Sequence, residues 1–457
     1  MKVLKFGGTS VGTVESLTNV KNIVESLKEP AVVVVSALGG LTDKLIATSR
    51  KAASGDDTYK EDMESIRMRH HNIIDNVVNS RKKEECLNKV DPLLDELSRL
   101  YDGVRLIGDV PQKTLDSIVS YGERMSSHIV NYMIEESSHL NSLDIVKTEK
   151  WFGKNIADTK LTNENIISNI KPEDGHPVIA GGFISTDRDT GEITNLGRGG
   201  SDFTAALIAA ALDANVLEIW TDVDGFMTSD PRIIPEARII PIMSFVESME
   251  LCSFGAKVIY PPTIYPVFHK NIPIKILNTF NPEAPGTLIK DFSHKELSSH
   301  GRVRGLSALK STALINIRGS LAQNVAAVSS RTFNTLAKKG ISVFLVSPSE
   351  DNECFSFSLR EADIEDTINL IKTEFAPEIA SGLIESVESV KGLSIVAIVG
   401  EEILSGGYLS PRISNTLERA SISPAAVSEG ASRTTVTFAV EDKHTNLTLQ
   451  LIHSLFF

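Results

Sequence analysis

A lysine, a glycine pair and two hydroxyl residues stand together at the start of the sequence, in MKVLKFGGTS. Lys5 lies in a short apolar run and is followed by Gly7 and Gly8. The run predicts a strand, and a glycine turn behind a strand leaves backbone N–H groups free to face a phosphate. The lysine precedes the glycines, so this is not a P-loop, and no dinucleotide glycine triplet follows. A plain tight turn and an anion-binding turn both remain open.

A second glycine-rich segment, TNLGRGGSDFTAAL, surrounds Arg198 with three glycines. Ser201 and Asp202 then begin an apolar helix, and both residue types suit its N-cap. A capping role leaves the glycines and the arginine unexplained. A guanidinium at a helix start can bind a carboxylate or phosphate through two parallel hydrogen bonds, so the segment indicates recognition of an anion.

Three further segments carry charges beside predicted turns or in a helix. IWTDVDGFMTSDPR places two acids just past a strand, which is typical either of a polar loop or of a nucleotide contact. FGAKVIYPPT carries Lys257 after a glycine, and a solvated surface lysine is the simpler interpretation. SYGERMSSH carries Glu123 and Arg124 in a helical context. That pair is either exposed or offers a carboxylate to the ammonium group of a ligand.

The order of the predicted elements indicates an α/β architecture. Strands are predicted at KVLKF, AVVVVSAL, PVIAGGFIS, VLEIWTD and IPIKILNT, and helices at TVESLTNVKNIVESL, at roughly 59–100, at TLDSIVSYGERMSSHIVNYMIEE with an interruption near Gly122, and at DFTAALIAAAL. AVVVVSAL lacks alternation, as parallel strands covered on both faces do. We therefore predict a mostly parallel central sheet, with a domain boundary near 293–304.

Composition and charge restrict the classes of partner. The chain has 457 residues, 41% hydrophobic and 23% charged, with a formal net charge of −13. This charge argues against a nucleic-acid partner or an anionic membrane. The three cysteines are widely spaced, which suits neither a zinc cluster nor a disulfide framework. The apolar runs are too short for a signal peptide or a bilayer span, so a cytoplasmic protein is expected.

The last third of the sequence repeats itself. ISVFLVSPSEDNECFSFSL from Ile341 aligns without a gap with ISPAAVSEGASRTTVTFAV from Ile422, an offset of 81 residues. Each copy has a helical pattern before and after it, which predicts two ferredoxin-like α+β modules. The second copy ends without residues for a closing strand. The two modules are therefore expected to share or exchange strands.

Five segments in order resemble the aspartate kinases of the amino-acid kinase family: KFGGTS, SYGERMSS, LGRGGSDFTAAL, TDVDG…SDPR and FGAKVIYPPT. The repeated module is similar to their tandem ACT domains. The resemblance covers essentially the whole chain. It implies a three-layer α/β catalytic domain at residues 1–293, a first ACT module at 305–390 and a second at 391–457, nested with or sharing strands with the first.

The resemblance implies that Mg-ATP phosphorylates the β-carboxylate of L-aspartate. The products would be 4-phospho-L-aspartate and ADP, in the first step towards lysine, threonine and methionine. No general base is required, because the attacking carboxylate is already ionised near neutral pH.

The resemblance also assigns residues, with Mg²⁺ arriving on the nucleotide and no separate metal ligands. It implies that Lys5 and Asp202 are the catalytic residues. The substrate residues are Ser36, Thr42, Glu123, Arg198, Gly199, Gly200 and Ser201, with Arg198 on the α-carboxylate and Glu123 on the α-ammonium. The ATP residues are Lys5, Phe6, Gly7, Gly8, Thr221, Asp222, Arg232, Lys257 and Val258.

The sequence departs from the family pattern at positions that are expected to contact the nucleotide and the effector. Met227 stands where many relatives have tyrosine. An amino-acid effector is expected near Val343, Phe344, Ser349 and Glu350. Phe344 replaces the aspartate of lysine-inhibited members, whereas Pro348 and Glu429 replace the glutamines of threonine-inhibited bifunctional members. Ser349 and Glu350 match the lysine-inhibited pattern, which favours lysine slightly over threonine.

The repeated modules also predict an oligomeric assembly. A homodimer or a dimer of dimers through the ACT modules is expected. The sequence ends without a dinucleotide fingerprint, so a kinase without a homoserine dehydrogenase is expected. Two alternatives stay open: a superfamily kinase acting on glutamate, acetylglutamate or a nucleotide, and a catalytically inactive amino-acid sensor.

Overall fold

The computed structural model describes residues 1–151, 154–173, 176–293, 296–297, 302–320, 324–348, 354–401, 409–429 and 433–457. The chain divides into two compact units. The first comprises Met1–Phe226, Pro241–Phe245 and Val258–Asp291, and the second comprises Met227–Ile240, Val246–Lys257 and Phe292–Phe457. The boundaries expected from the resemblance stay a prediction. No helix within the described ranges is long and apolar enough to cross a bilayer.

The first unit contains an eight-stranded sheet and a smaller four-stranded sheet. The strands are β1 (Lys2–Phe6), β2 (Ala31–Val35), β3 (Ser138–Leu140), β4 (Lys147–Trp151), β5 (Lys154–Ala157), β6 (Val178–Gly181), β7 (Ile184–Asp187), β8 (Ile193–Asn195), β9 (Val216–Thr221), β10 (Ile242–Met243), β11 (Ile274–Asn278) and β12 (Thr287–Ile289). The large sheet has the order β10-β12-β11-β9-β1-β2-β6-β3, and β5-β4-β7-β8 form a smaller one. Within the large sheet β11 and β12 pair antiparallel and the other neighbours pair parallel.

Helices connect these strands. They are α1 (Val14–Glu25), α2 (Leu41–Ser54), α3 (Tyr59–Val77), α4 (Lys83–Ile107), α5 (Gln112–Met133), α6 (Ser142–Ile145), α7 (Thr159–Asn169), α8 (Gly200–Ala211), α9 (Phe245–Ser253) and α10 (Tyr265–Phe268), with most of α9 in the second unit. The helical section predicted from about 59 to 100 is therefore two helices, α3 and α4. The expected α/β domain with a mostly parallel sheet is confirmed.

Alternate residues of the central strands face different helices. Leu4, Phe6, Val33 and Val35 pack in one buried cluster with side chains of α1 to α5. Successive side chains of a strand point to opposite faces. Lys5 therefore points away from that cluster, to the face where α8 contacts β1, β2 and β9.

The expected helix interruption near Gly122 is wrong. Helix α5 runs unbroken from Gln112 to Met133. The glycine serves close packing, because a Cβ added at Gly122 would lie 2.7 Å from the Cβ of Ala37. The position therefore lets α5 approach the loop after β2.

The single strand expected at PVIAGGFIS is also wrong. Its first part is β6 in the large sheet, and its last part is β7 in the small sheet. The chain turns between them at Gly182 and Phe183, where Phe183 has a φ of 67°. An apolar run does not reveal such a change of sheet.

The second unit contains one six-stranded sheet. Its strands are β13 (Gly305–Arg318), β14 (Leu345–Pro348), β15 (Cys354–Arg360), β16 (Ser386–Val399), β17 (Ala426–Glu429) and β18 (Thr435–Glu441), in the order β14-β15-β13-β16-β18-β17. Its helices are α11 (Val325–Lys339), α12 (Ile364–Glu374), α13 (Ala376–Ala380), α14 (Leu409–Arg419) and α15 (Thr445–Phe456). This α+β region confirms the expected fold class.

Two long strands serve both halves of this sheet. Residues 305–309 of β13 pair with 395–399 of β16, and residues 314–318 pair with 386–390. Between these stretches the register shifts, with positive φ at Ser311 (56°) and Gly392 (72°). Strands β14 and β15 extend the sheet beside the later part of β13, and β18 and β17 extend it beside the later part of β16. Each half thus has four strands.

Candidate active site

A cavity of about 350 Å³ lies in the first unit where β1 and β2 end. Parallel neighbours end at the same edge of a sheet, which brings the segments after β1 and β2 together. Nine predicted site residues line the cavity: Lys5, Gly8, Ser36, Thr42, Glu123, Gly199, Gly200, Ser201 and Asp202. Ala37, Leu38, Gly39, Gly40, Asp43, Phe183 and Gly197 also line it.

Lys5 and Asp202 form an ion pair inside the cavity. The Nζ of Lys5 lies 2.6 Å from the Oδ1 of Asp202, and each side chain is nearly nine-tenths buried. Asp202 is in the first turn of α8, where the N–H groups of the helix start favour negative charge. The acid therefore fixes the position of the lysine ammonium.

Glycines of two segments line the cavity. Gly8 lies in the turn after β1, whereas Gly39 and Gly40 lie between β2 and α2. None of these three N–H groups donates to another residue in the described part of the chain. Free N–H groups beside a lysine make a concave site for an anion.

Glu123 presents a buried carboxyl group to the same cavity. Its Oε1 accepts a hydrogen bond of 3.0 Å from the N–H of Ala37, and its Oε2 has no hydrogen-bond partner among the described residues. Burial raises the pKa of Glu123 to about 8, against the opposing effect of the Ala37 hydrogen bond. Once ionised, a buried carboxylate with one unpaired oxygen is suited to a ligand cation.

The N-terminus of α8 is held close to the turn after β6. A Cβ added at Gly182 would lie 2.6 Å from the Cα of Ser201, so only glycine allows this approach. Phe183 follows with its N–H donating to the Oγ1 of Thr204 at 3.1 Å. Gly199 has a φ of 70°, and a Cβ there would lie 2.5 Å from the Cβ of Tyr260. These contacts set Ser201 and Asp202 at the cavity wall.

Arg198 is exposed and is not one of the residues that line the cavity. Its guanidinium carbon lies 5.9 Å from the centre of the Tyr260 ring. Its neighbours Gly197 and Gly199 do line the cavity. The assignment of Arg198 to a substrate carboxylate stays a prediction.

The other predicted nucleotide residues of the first unit lie outside the cavity lining. Phe6 is buried and stacks on Trp220, with ring centroids 5.9 Å apart. Gly7 donates its N–H to the carbonyl of Trp220 at 3.1 Å. Thr221 ends β9 and donates through its hydroxyl to Asp222 at 3.2 Å. Val258 is half-buried.

Two predicted nucleotide residues lie in the second unit. Arg232 is 86% exposed, and its Nη2 lies 2.7 Å from the Oδ2 of Asp230. Lys257 is exposed. Their assignment to the nucleotide stays a prediction.

The predicted effector residues are described in part. The N–H of Phe344 donates to the carbonyl of Ser358 at 3.0 Å, and the guanidinium carbon of Arg360 lies 5.4 Å from the Phe344 ring centre. Val343 packs against the core of the first half of the six-stranded sheet. Ser349 and Glu350 lie outside the described residues.

Sequence reasoning missed several cavity residues, among them the aromatic Phe183 and the acidic Asp43. Asp43 belongs to the first turn of α2, and its acid type at that position was a possible signal. Phe183 stood inside an apolar run that predicted an unbroken strand. Its place at a turn depends on the close approach of Gly182 to Ser201.

Comparisons with known proteins agree with this architecture. The amino acid kinase family model matches residues 1–278. The bifunctional aspartokinase/homoserine dehydrogenase of Haemophilus influenzae is 34% identical over 470 residues, covering 100% of this chain and 56% of that protein. The crystal structure of E. coli aspartokinase III in complex with aspartate and ADP has a TM-score of 0.83 at 28% identity and covers 99% of both chains. The structure of that enzyme with lysine and aspartate has a TM-score of 0.76 at 28% identity, covering 100% of this chain and 99% of that chain.

The family follows from these matches, since the family model covers more than half of the chain. The chain belongs to the amino acid kinase family. It spans about half the length of the bifunctional curated relatives that it matches.

Proposed function

We propose that this chain transfers the γ-phosphoryl group of Mg-ATP to the β-carboxylate of L-aspartate, giving 4-phospho-L-aspartate and ADP. One observation carries the proposal: a single cavity is lined by the Lys5–Asp202 ion pair, by glycines whose peptide N–H groups are unpaired, and by Glu123 with its buried carboxyl group. The cavity thus offers donors for an anion and an acceptor for a cation. An amino acid with a second carboxylate requires both.

The chemistry fits these groups because both reacting partners are anions. Catalysis of phosphoryl transfer consists largely of positioning and neutralisation of charge. Lys5 and the N–H groups of Gly8, Gly39 and Gly40 stabilise charge on the transferring phosphoryl group. Asp202 keeps the lysine in place and would help to hold the magnesium of the nucleotide, which would neutralise charge on the phosphates.

The remaining groups select the amino acid. The open Oε2 of Glu123 accepts the α-ammonium, and the exposed Arg198 binds the α-carboxylate. The hydroxyl groups of Ser36, Thr42 and Ser201, with Gly199 and Gly200, complete the substrate contacts. E. coli aspartokinase III, solved with aspartate and ADP, supports this choice of ligands.

The nucleotide contacts extend beyond the cavity in this proposal. Phe6 and Gly7 contact Trp220 and so hold in place the turn after β1, residues 7–12, which we call the phosphate turn. Thr221, Asp222, Arg232, Lys257 and Val258 contact the rest of ATP, with Met227 in place of an aromatic contact.

A hydroxamate trap for acyl phosphates tests the reaction directly. We expect aspartate, Mg-ATP and hydroxylamine to give aspartyl hydroxamate, and glutamate, acetylglutamate and nucleotide acceptors to give far less product. Product from glutamate but not from aspartate would assign the chain to another branch of the family. No product from any acceptor, combined with binding of an amino acid, would identify a sensor.

Regulation by an end-product amino acid belongs to the same proposal. The six-stranded sheet of two repeated halves supports it, as does the structure of E. coli aspartokinase III with lysine. We propose lysine, ahead of threonine, as the effector, and a homodimer or dimer of dimers as the regulated form. Initial rates with added lysine, threonine, methionine or lysine plus threonine test this, and no response to any of them would remove regulation while leaving the reaction intact.

A further inference from the structure

Arg69 lies on α3 and is not one of the residues that line the cavity. Its Nη2 donates to the carbonyl oxygen of Gly12 at 3.0 Å and to that of Gly39 at 2.8 Å. Residues 7–12 form the phosphate turn after β1, and residues 36–40 form the substrate loop after β2. We infer that Arg69 is a positioning residue that clamps the phosphate turn to the substrate loop. The inference rests on the proposed function and adds a residue to it.

The two segments touch through bare backbone at this place. A Cβ added at Gly39 would lie 2.9 Å from the carbonyl oxygen of Gly8, and one added at Gly12 would lie 3.3 Å from the nitrogen of Gly39. Glycines have no side chains that could interlock and fix the relative position of the two segments. The β1–β2 ladder joins the two segments only at their start, up to the bond from the N–H of Ser36 to the carbonyl of Phe6, and the guanidinium of Arg69 meets both segments beyond it.

The clamp also orients peptide groups that face the cavity. In a trans peptide the C=O and the following N–H point in opposite directions. The carbonyl of Gly39 points to Arg69, so the N–H of Gly40 points away from it, and Gly40 lines the cavity. Gly12 precedes Thr13, whose side chain caps α1, so the other carbonyl links the clamp to that helix start.

Arginine suits this position better than lysine. Burial lowers the pKa of Arg69, but a guanidinium stays charged where an ammonium can lose its proton. The carbonyl oxygens replace lost water, as a half-buried cation requires. Arg67, two residues earlier on the same helix, instead pairs with Asp91 and Asp95 on α4. Arg67 is thus a matched control of equal charge on the same helix.

The test compares Arg69→Met, Arg69→Lys and the control Arg67→Met in the full chain. Hydrogen exchange is measured without ligand over residues 7–13 and 36–42, and kcat and KM are measured with aspartate and Mg-ATP. We expect Arg69→Met to raise exchange in both segments together and to lower kcat about 10- to 100-fold, since misplacement of reacting groups by about 1 Å has such an effect. Arg69→Lys should fall between this variant and the wild type. Arg67→Met should leave both readouts within about twofold of the wild type.

Each outcome decides the question. Raised exchange in the two segments, with an unchanged melting temperature and a lowered kcat, supports the clamp. Unchanged exchange, or a kcat within twofold of the wild type for both Arg69 variants, overturns it while leaving the proposed function in place. An inactive wild type would overturn the proposed function, and the exchange data would still decide whether Arg69 fixes the two segments. If Arg69→Met fails to fold, Arg69→Lys carries the same comparison.

Discussion

The Nζ of Lys5 lies 2.6 Å from the Oδ1 of Asp202, although the two residues are almost two hundred positions apart in the sequence. Lys5 belongs to β1 and Asp202 to the first turn of α8, which contacts that strand. The ion pair therefore fixes the lysine ammonium at the cavity wall. A preorganised charge of this kind stabilises a transition state without reorganisation.

Replacement of Lys5 should remove most of the activity but should change the stability of the fold little. We expect Lys5→Ala to lower kcat about 10²- to 10³-fold, because one preorganised charge at the transferring group is lost. Lys21→Ala, at a half-buried lysine of α1 that pairs with Glu25, serves as the control and should be near normal. Near-normal turnover of Lys5→Ala would exclude Lys5 from the chemistry.

The ion pair should act as one unit in catalysis. Asp202→Asn alone should lower kcat by about 10²-fold or more, and the double variant with Lys5→Ala should be little worse than the poorer single variant. Initial rates of the four proteins give this coupling. Effects that simply multiply would mean that Asp202 does not work through Lys5.

The activity should depend on pH through Glu123. Its pKa of about 8, raised by burial, means that the carboxyl group is mostly protonated at neutral pH and in that form cannot attract an ammonium. We expect kcat/KM for aspartate to rise about tenfold per pH unit up to about pH 8 and then to level. Glu123→Gln should lose activity and the dependence together. A profile that is flat between pH 6 and 8 would contradict the assignment.

The same group should affect stability in the opposite direction. The folded-state pKa lies above the value of 4.5 for an unperturbed glutamate, so between about 4.5 and 8 the folded state binds more protons than the unfolded state. The contribution of Glu123 to the free energy of unfolding is fully present below pH 4.5 and is lost as pH rises through 8. Denaturation curves of wild type and Glu123→Gln across this range measure it, and identical slopes would contradict the buried, protonated state.

Arg198 should determine the affinity for aspartate. Its side chain is exposed beside the cavity, and a bidentate bond to the α-carboxylate is available once the ligand is bound. We expect Arg198→Ala to raise KM for aspartate about 10- to 100-fold, as loss of a charge-assisted hydrogen bond does. Arg188→Ala, an exposed arginine of the same unit, is the control. An unchanged KM would remove Arg198 from the site.

A methyl group added at Gly182 should displace the part of the cavity wall formed by the start of α8. The added Cβ would meet the Cα of Ser201 at 2.6 Å, so α8 has to shift and carry Asp202 with it. We expect Gly182→Ala to lower both activity and melting temperature. Gly103→Ala in α4 meets nothing within 4 Å and should instead stabilise the helix by about 0.5–1 kcal/mol. A fully active Gly182→Ala would mean that this close approach is not required.

The sequence predicted those parts of the site that local chemistry identifies. Lys5, Glu123 and Asp202 each stood out by residue type within a recognisable segment, and all three line one cavity. Phe183 and Arg69 could not be found in this way. The first is a turn residue hidden in an apolar run, and the second resembles Arg67 until its carbonyl partners are known.

The unpredicted parts of the fold arise from packing between distant segments. Gly122 was expected to interrupt a helix because glycine is a poor helix former, yet its contact with Ala37 outweighs this preference. The repeat, by contrast, was visible because its segments recur at a constant spacing. Strands β14 and β17 begin at Leu345 and Ala426, and β15 and β18 at Cys354 and Thr435, each pair 81 residues apart.

The double use of β13 and β16 has a consequence for how this region can change. Residues 305–309 belong by sequence to the beginning of the region but hydrogen-bond with residues 395–399, deep in the second copy. Neither copy of the repeat can therefore be exchanged as a separate unit. Excising residues 391–457 would strip residues 305–309 of that ladder, so gene truncations or domain grafts have to carry the whole region from Gly305 onwards.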